Sequence, residues 1–392
     1  MEIVIAAAGR TAMGAFQGAL QGVSAPRLGA AVLAELAGRL GIGENEADLV
    51  LLGNVLSAGL GQAPARQAAI HGGLGRSVPA VTLNKMCGSG LEAIIQGSRA
   101  IGSGDAHVVF AGGMESMSNA PYLLPGARGG LRLGNAQAID SLVHDGLWDA
   151  YGDKHMGSCA ELCADRYAFT REEQDAFAAR SYRRAQAAQA SGAFASEIVS
   201  VTAPARRGEG TPVTQDEGPG QVDFDRLPKL RAAFEKDGTI TAGNASTIND
   251  GAAAVVLTSA GHARERGWTP LAVIRGSAVH AHEPQWFTTA PVTAMQDLLQ
   301  KVGWAAGDVD AWEINEAFSV VPMAAVRELE LDEERVNVFG GAVALGHPIG
   351  ASGARIVVTL LNALARRGGR RGVAGICIGG GEALALAVEL VS

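Results

Sequence analysis

Aromatic residues, cysteines and long apolar runs are all scarce in this chain. Of its 392 residues, 5% are aromatic and 4 are cysteines. Four cysteines without the regular spacing of a disulfide framework predict reduced thiols and a cytoplasmic location. No apolar run approaches the roughly 18 residues that a membrane-spanning helix needs. The net charge of -8 comes without a long basic run, so neither a membrane nor a nucleic acid is an expected partner.

Small residues are what the chain has in abundance. Its 53 glycines, together with many alanines, suit closely packed layers of helices and strands joined by tight turns. The chain is longer than one hydrophobic core usually serves, so two or three domains are expected. The first five residues, MEIVI, lack the basic start and apolar core of a secretory signal and are typical of a strand.

Short apolar strands alternate with helices in two separate parts of the chain. The first part has predicted strands at 3–8, 48–53, 78–83 and 106–111, and helices at 28–40 and directly after residue 87. The second has strands at 252–257, 311–314 and 371–377, and helices at 291–302, 317–329 and 352–365. This alternation predicts an α/β fold with a mostly parallel sheet, in two weakly similar halves.

The intervening segment breaks this rhythm with prolines, glycines and loops. Helices are predicted at 157–167 and 172–190, the second beginning with a capping box formed by Thr170 and Glu173. Residues 203–221 are predicted to form an exposed loop. We therefore predict a first half at 1–117, completed by 250–270, an inserted loop domain at 118–249 and a second half at 271–392.

Cys87 lies between a predicted strand and a predicted helix, in the sequence NKMCGSG. A helix start favours the thiolate, because its dipole and free N–H groups stabilise negative charge and lower the thiol pKa. The thiol can therefore be a nucleophile, or it can be buried and inert. Residues 88–93 also match the loose dinucleotide pattern G-x-G-x-x-A, followed by Asp105. That alternative is disfavoured because it leaves the remaining glycine-rich turns unexplained.

Two further glycine-rich turns carry chemically active side chains. His347 stands among 5 glycines in residues 340–354, where it can take a proton from a cysteine or act as a capping or core residue. Cys377 precedes a run of glycines that includes Gly379, whose N–H groups could form an oxyanion hole. Asn315 could hold a water or an oxyanion, or cap a helix. Acyl transfer coupled to carbon–carbon bond formation needs such a nucleophile, base and second thiol.

His155, Cys159 and Cys163 repeat every four residues and would share one helix face. This is metal-like spacing, yet a closed soft-metal site takes four ligands and no fourth stands nearby. Small residues on a packed helix are therefore the preferred interpretation of the two cysteines.

Taken in order, these motifs resemble those of the thiolase family over essentially the whole chain. The matching stretches are 84–90, 155–157, 243–246, 315–318, 346–350 and 377–381. The resemblance implies a five-layered αβαβα core of two similar halves, with an inserted loop domain that binds coenzyme A. Residues 155–161, 222–224, 228–230 and 244–251 are most similar to short-chain acetyl-CoA acetyltransferases of the potassium-activated, mitochondrial type.

The resemblance implies a role for each catalytic position. Cys87 would accept the acetyl group after activation by His347, and Cys377 would move a proton to or from the second acetyl group. His347 and a water on Asn315 would form one oxyanion hole, and the N–H groups of Cys87 and Gly379 the other. The implied reaction is the reversible condensation of two acetyl-CoA molecules to acetoacetyl-CoA and CoA. It requires no metal or redox cofactor.

The resemblance also implies coenzyme A contacts and a cation site. The expected CoA contacts are His155, Met156, Tyr182, Val222, Asp223, Arg226, Ser246 and Phe318. The implied potassium site uses Tyr182 and the carbonyl groups of Ala242, Gly243, Ala245 and Val343, because hard cations suit oxygen ligands. Residues 218–221 (GPGQ) depart from the subgroup, which carries aromatic and basic residues there.

The sequence leaves two alternative functions open and predicts an oligomeric state. A 3-ketoacyl-CoA thiolase of broader specificity is the first alternative, although His155, Met156 and Phe287 resemble a short-chain pocket. A non-catalytic, lipid-binding relative is the second, but such a relative would lack part of the catalytic set. The resemblance, with apolar loops such as 121–124, predicts a homotetramer built from dimers.

Overall fold

A mixed sheet of 11 strands runs through the protein, of which the computed structural model describes residues 1–204 and 210–391. The strands are β1 (Ile3–Thr11), β2 (Gly14–Ala15), β3 (Leu49–Gly53), β4 (Ala80–Leu83), β5 (Val108–Ser116), β6 (Tyr122–Leu123), β7 (Ile139–Asp140), β8 (Trp148–Asp149), β9 (Lys154–His155), β10 (Ile198–Val199), β11 (Val201–Ala203), β12 (Thr211–Val213), β13 (Asn249–Ser259), β14 (Ala272–Ala281), β15 (Ala311–Ile314), β16 (Arg371–Ile378) and β17 (Glu382–Leu390). The helices are α1 (Ala25–Leu40), α2 (Pro64–His71), α3 (Ser89–Ser103), α4 (Ser141–Gly146), α5 (Met156–Tyr167), α6 (Arg171–Ala190), α7 (Ala260–Glu265), α8 (Ala290–Val302), α9 (Val320–Glu328), α10 (Ala342–Leu345) and α11 (Ile349–Arg367).

The sheet consists of two stretches with the same pairing pattern. The order β4-β3-β5-β13-β1 continues as β14-β17-β16-β15, and the stretches join where Val4 pairs with Val273 and Ile5 with Ala272. From the join outward, each stretch has two antiparallel pairs followed by parallel pairing. The repeated order confirms that the α/β fold is built from two similar halves.

The prediction of a mostly parallel sheet is wrong, because the pairs nearest the join are antiparallel. A short glycine turn at 379–381 reverses the chain between β16 and β17, and β13 enters between β1 and β5 after the inserted region. Apolar runs reveal buried strands but not their direction.

Helices cover both outer faces and fill the space between the halves. Helices α1 and α2 pack on the first half, and α8 and α9 pack on the second. Helices α3 and α11 lie between them in one core cluster with strands of both halves. Their close crossing requires glycine: a Cβ atom at Gly90 would lie 2.7 Å from the Ala354 nitrogen, and one at Gly353 would lie 2.5 Å from the Leu91 nitrogen. The result is a five-layered αβαβα core.

The inserted region lies between β5 and β13. The predicted capping box is confirmed, since the Thr170 and Glu173 side chains each accept the other's backbone N–H at the start of α6. The predicted exposed loop at 203–221 is wrong in part, because Val213 and Asp216 are buried and Asp216 accepts hydrogen bonds from buried Arg10 of β1. Residues 205–209 of that prediction lie outside the described residues. The three domain boundaries stay a prediction.

Most predicted elements occur with ends moved by a few residues. The strand predicted at 106–111 runs on to Ser116, where it still pairs with β13. The helix predicted from residue 317 begins at Val320. Among the described residues, no helix combines the length and the apolar character needed to cross a bilayer.

Candidate active site

A cleft of about 1790 Å³ is bordered by residues of both halves and of the inserted region. Its walls include these residues singled out from the sequence: Cys87, His155, Met156, Ala242, Ala245, Ser246, Phe287, Phe318, His347 and Gly379. The cleft thus gathers glycine-rich turns that are far apart along the chain.

Cys87 is held by a tight turn immediately before α3. Met86 has a left-handed φ of 46°, and its N–H donates to Asn84 Oδ1 at 2.9 Å. The Ser89 hydroxyl donates to the Met86 carbonyl at 2.6 Å and accepts from the Lys85 N–H at 2.8 Å. This turn fixes the half-buried Cys87 thiol in the cleft wall.

The Cys87 thiol is protonated in its resting environment. Burial raises its pKa to about 11, although hydrogen bonds from the N–H groups of Gly379 and Cys87 act in the opposite direction. The expectation of a lowered pKa at the helix start is therefore wrong, because removing the thiolate from water outweighs the backbone donors. Cys87 consequently needs a base before it can act as a nucleophile.

His347 is positioned through its backbone and through its ring. Its N–H donates to the Asn249 side-chain oxygen at 3.1 Å and to the Thr247 carbonyl at 3.2 Å. Its Nδ1 atom lies 2.6 Å from Ser352 Oγ, and the Ser352 hydroxyl donates to the Pro348 carbonyl at 2.9 Å. Because the Ser352 hydroxyl donates its proton to the Pro348 carbonyl, its oxygen accepts a hydrogen bond from the Nδ1–H group of His347. Nε2 is then the unprotonated ring nitrogen.

The unprotonated Nε2 atom of His347 is buried and has no partner among the described residues. Burial, with a smaller contribution from the positive charge of Arg355, lowers the pKa of His347 to about 3. The ring therefore stays neutral at physiological pH. A neutral imidazole with a free Nε2 in the wall that also holds Cys87 can act as a general base.

Cys377 lies at the end of β16 and is fully buried. Burial, followed by a negative charge on Cys87, raises the pKa of Cys377 well above its ordinary value. The two sulfur atoms are therefore electrostatic neighbours, although Cys87 borders the cleft and Cys377 lies in the core cluster of the second half. A thiol with so high a pKa gives a strongly basic thiolate.

Asn315 is fully buried in the turn that follows β15. Its N–H donates to the Gly375 carbonyl at 2.9 Å, while neither side-chain polar atom has a partner among the described residues. The helix-cap alternative is wrong, because α9 begins at Val320 with Ser319 as its cap. A buried amide without a protein partner suits a bound water or ligand oxygen.

Four of the expected coenzyme A contacts border the cleft: His155, Met156, Ser246 and Phe318. His155 caps α5, because its Nδ1 atom accepts the Gly157 N–H at 3.0 Å. Its ring stacks on Phe234 with centroids 4.6 Å apart. The result is a largely aromatic wall that suits a slender, weakly polar ligand arm.

The other expected contacts stand apart from the cleft walls. Tyr182 is buried in a cluster with Val222, whereas Asp223 and Arg226 are exposed and joined by a hydrogen bond from the Arg226 N–H to Asp223. Gln221 of the same loop does border the cleft. The loop thus brings polar groups to one side of the cleft rather than into it.

The metal and dinucleotide alternatives do not fit this geometry. Among the described residues, no group of His, Cys, Asp and Glu side chains could hold a metal ion, and Cys159 and Cys163 are fully buried. The glycines of the dinucleotide pattern serve packing: a Cβ atom at Gly88 would lie 2.5 Å from Ile378.

Three supporting residues were missed in the sequence. Asn249 and Ser352 position His347, and buried Glu115 accepts hydrogen bonds from the segment after β3 and from the start of α11. All three stand within or beside the glycine-rich motifs. Their position was the available signal, but their partners lie in other segments of the chain.

A cleft between two similar halves, with a cysteine, a histidine and a glycine turn in its walls, defines the thiolase class of protein. The chain matches the thiolase N-terminal domain over residues 3–261 and the thiolase C-terminal domain over residues 268–390. It belongs to the thiolase family.

Relatives match over almost the entire chain. An acetyl-CoA acetyltransferase of Pseudomonas aeruginosa is 52% identical over 386 residues, which is 98% of this chain and 98% of that protein. The Acat5 thiolase of Ascaris suum, solved in complex with coenzyme A, has a TM-score of 0.95 at 46% identity, with 100% of both chains covered. The acetyl-CoA acetyltransferase of Bacillus anthracis has a TM-score of 0.97 at 41% identity, covering 100% of this chain and 99% of that one.

Proposed function

We propose that this protein is an acetyl-CoA C-acetyltransferase, which condenses two acetyl-CoA molecules to acetoacetyl-CoA and CoA and catalyses the reverse thiolysis. The observation that carries the proposal is the meeting of the Cys87 thiol, the Gly379 N–H and the neutral His347 ring in one cleft. Relatives at about half identity that bear this name support the same activity.

In the first step, the Cys87 sulfur attacks the thioester carbonyl while His347 Nε2 accepts the thiol proton. Collapse of the tetrahedral intermediate forms acetyl-Cys87 and breaks the bond to the CoA sulfur, which takes a proton from the Cys377 thiol. Cys377 is then a thiolate, and His347 keeps the proton on Nε2. A thiol pKa near 11 makes this base necessary. Splitting the reaction at a covalent intermediate replaces one difficult step with two easier ones.

In the second step, the Cys377 thiolate removes a proton from the methyl group of a second acetyl-CoA. The resulting enolate attacks the acetyl-Cys87 carbonyl, forming the carbon–carbon bond and releasing the Cys87 sulfur, which recovers its proton from His347 Nε2. The raised pKa of Cys377 suits this task, because a weak carbon acid needs a strong base.

Two oxyanion holes would stabilise the negative charge that develops on oxygen. The N–H groups of Cys87 and Gly379, both directed at the Cys87 sulfur, would bind the oxygen of the acetyl group. The Nε2–H group that His347 carries after the first step, with a water on the Asn315 amide, would bind the enolate oxygen.

Coenzyme A would extend along the wall formed by His155, Met156, Ser246 and Phe318. Its polar end would reach the loop that carries Val222, Asp223 and Arg226, beside Tyr182.

A potassium ion among Tyr182 and the carbonyl groups of Ala242, Gly243, Ala245 and Val343 would order this loop. The donors fit a hard cation because all of them are oxygen atoms. Burial and then the Glu316 charge raise the pKa of Tyr182 to about 12, so its phenol oxygen would bind as a neutral ligand. Weaker apparent CoA affinity in sodium chloride than in potassium chloride, lost in Tyr182→Phe, would support the ion.

A cytoplasmic homotetramer remains the proposed form of the protein. Large apolar side chains are exposed in the inserted region: Tyr122 (67%), Leu124 (55%), Leu131 (54%) and Leu133 (100%). We expect these exposed apolar side chains to be covered by another copy of the protein. Sedimentation at micromolar protein should give a tetramer, and a monomer alone would contradict this assembly.

The activity is tested by incubation with acetyl-CoA, followed by mass spectrometry of the cysteine peptides. The acetyl group should appear on Cys87, and Cys87→Ala should lose both acetylation and thiolysis of acetoacetyl-CoA. Acetylation of Cys159 or Cys163 instead would overturn the assignment. Equal rates on longer 3-ketoacyl-CoA substrates would favour the broader-specificity alternative, and absence of turnover would favour the non-catalytic one.

A further inference from the structure

Four hydrogen-bond donors converge on the buried carboxylate of Glu115 in β5. One oxygen accepts from Asn54 Nδ2 at 2.7 Å and from the Leu56 N–H at 3.2 Å. The other accepts from the Val55 N–H at 3.0 Å and from the Gly350 N–H at 2.9 Å. Both oxygens are therefore fully used, and no part of Glu115 is exposed.

The donors belong to two segments that border the active site. Residues 54–56 follow β3, and Val55 and Leu56 stand in the cleft wall with Cys87. Gly350 lies in the first turn of α11, three residues after His347. Its N–H is one of the helix-start donors that have no partner within the helix. The Glu115 carboxylate therefore joins the wall beside the nucleophile to the helix that carries the base.

We propose that Glu115 is a positioning residue for acyl transfer, which holds the 54–56 wall and the start of α11 at a fixed separation so that His347 reaches the Cys87 thiol. This inference rests on the proposed function. Glu115 does not touch the substrate; it acts through the placement of the two reacting groups. A displacement of about 1 Å between reacting groups can cost about 100-fold in rate.

The charge state of Glu115 determines whether it can accept hydrogen bonds from both the 54–56 wall and the start of α11. Burial raises the pKa of Glu115 to about 7, against the backbone hydrogen bonds that favour its charged form. The titratable groups that face it are Asp250 of β13, whose charge raises the Glu115 pKa, and the Cys87 thiol. Protonation of Glu115 turns one of its accepting oxygens into a hydrogen-bond donor. That oxygen then faces two N–H donors and can no longer accept from both. His347 stays neutral over the same range, and an acid limb near neutral pH is assigned to Glu115 if Glu115→Gln removes it.

Glu115→Gln separates positioning from simple packing. The amide has nearly the same shape but only one accepting oxygen, so it can serve Asn54 and Leu56 or Val55 and Gly350, not both pairs. The expected result is a kcat for acetoacetyl-CoA thiolysis that is lower by about 10–100-fold, with KM within about threefold. The acid limb of the wild-type pH profile should disappear.

A matched control exists at the other end of the same strand. The Asp48 carboxylate accepts the His107 and Val108 N–H groups, both at 2.8 Å, beside the start of β5. Asp48→Asn makes the same chemical change far from the cleft and should leave kcat and the pH profile as in wild type.

Glu115→Asp is the second variant, used if the Gln variant does not fold. The aspartate keeps a titratable carboxylate, but its side chain is one methylene shorter and cannot reach all four donors. The kcat should therefore fall while the acid limb of the pH profile remains.

Activity of the wild-type protein separates the positioning role from the function on which it rests. Wild-type protein without thiolase activity would sink the proposed function. Active wild type with kcat of the foldable Glu115 variant within about twofold would overturn the positioning role. The positioning role would also be overturned if Glu115→Gln folds and retains the acid limb, or if Asp48→Asn loses as much kcat as Glu115→Gln.

Discussion

The Nδ1 atom of His347 lies 2.6 Å from Ser352 Oγ, and this contact determines which ring nitrogen is free. Because Ser352 donates its own proton to the Pro348 carbonyl, it can only accept from Nδ1. The base is thus prepared by a hydroxyl group on the first turns of the helix that follows it, rather than by a carboxylate. The proposed chemistry depends on this tautomer.

Ser352→Ala should allow His347 to adopt both neutral tautomers. The ring would lose its only hydroxyl acceptor at Nδ1 among the described residues, and the population with a proton on Nε2 should grow. We expect kcat to fall by about 10-fold or more, since general-base catalysis contributes about 100-fold or more. Nitrogen NMR of labelled histidine should show the mixed tautomers. An unchanged spectrum with unchanged kcat would contradict this role.

The two active-site thiols should be separable by their half-reactions. Cys377→Ser should still acetylate Cys87 from acetyl-CoA, but condensation should fall by about 100–10,000-fold because the proton-transfer group is lost. Cys163→Ser is the matched control, since Cys163 is a fully buried thiol of the same core cluster. The two rates are measured by peptide mass spectrometry and by acetoacetyl-CoA formation. Condensation at the control's rate would exclude Cys377 as the acid/base group.

Loss of His347 should slow acetylation itself. With the Cys87 pKa at about 11, the uncatalysed thiolate is scarce at neutral pH, and His347→Ala should lower the acetylation rate by about 100–10,000-fold. The deficit should shrink as pH rises, because hydroxide then supplies the thiolate. A deficit that is independent of pH would show that His347 acts otherwise.

Alkylation of Cys87 by iodoacetamide should follow the raised thiol pKa. A pKa of about 11, against an ordinary 9.0, leaves about 100-fold less thiolate at neutral pH than a free cysteine has. The rate should rise about tenfold per pH unit without a plateau below about pH 10. A plateau near neutral pH would instead indicate a preformed thiolate–imidazolium pair.

Arg10 should be essential for stability rather than for chemistry. Its guanidinium pairs with Glu197 at 2.6 Å and Asp216 at 2.6 Å, and all three side chains are buried. Arg10→Met would leave two buried carboxylates without their cation, at a cost of about 3–5 kcal/mol. The half-exposed pair of Arg39 with Glu35 offers the control, because Arg39→Met should cost less than about 1 kcal/mol. Thermal unfolding that ranks the variants equally would refute the prediction.

Local motifs were predictable from the sequence because each is contiguous. The turn that carries Cys87, the glycine segment around His347 and the glycines after Cys377 are each encoded within a few neighbouring residues. Strands and helices followed from apolar spacing in the same way. Sheet direction did not, because the antiparallel pairs of β13 and β17 arise from chain connections that apolar runs do not encode.

Protonation states were beyond the reach of sequence reasoning. A helix start predicts a lowered pKa for Cys87, yet burial raises it to about 11. The roles of Ser352 and Glu115 could not be predicted from the sequence, because a serine or a carboxylate gains such a role only from the groups that face it. A capping role for Asn315 was open in the sequence, but α9 begins only at Val320, and the Asn315 amide has no partner among the described residues.

By itself, the sequence determined the kinds of reactive groups in this protein and the local turns that present them, because covalent order governs spacing over a few residues. The tertiary structure decided which groups meet, how deeply they are buried and which protons they hold. Those properties depend on dehydration and on contacts between segments hundreds of residues apart, such as Glu115 with Gly350. Packing of the two halves therefore turns a set of separate motifs into one candidate active site.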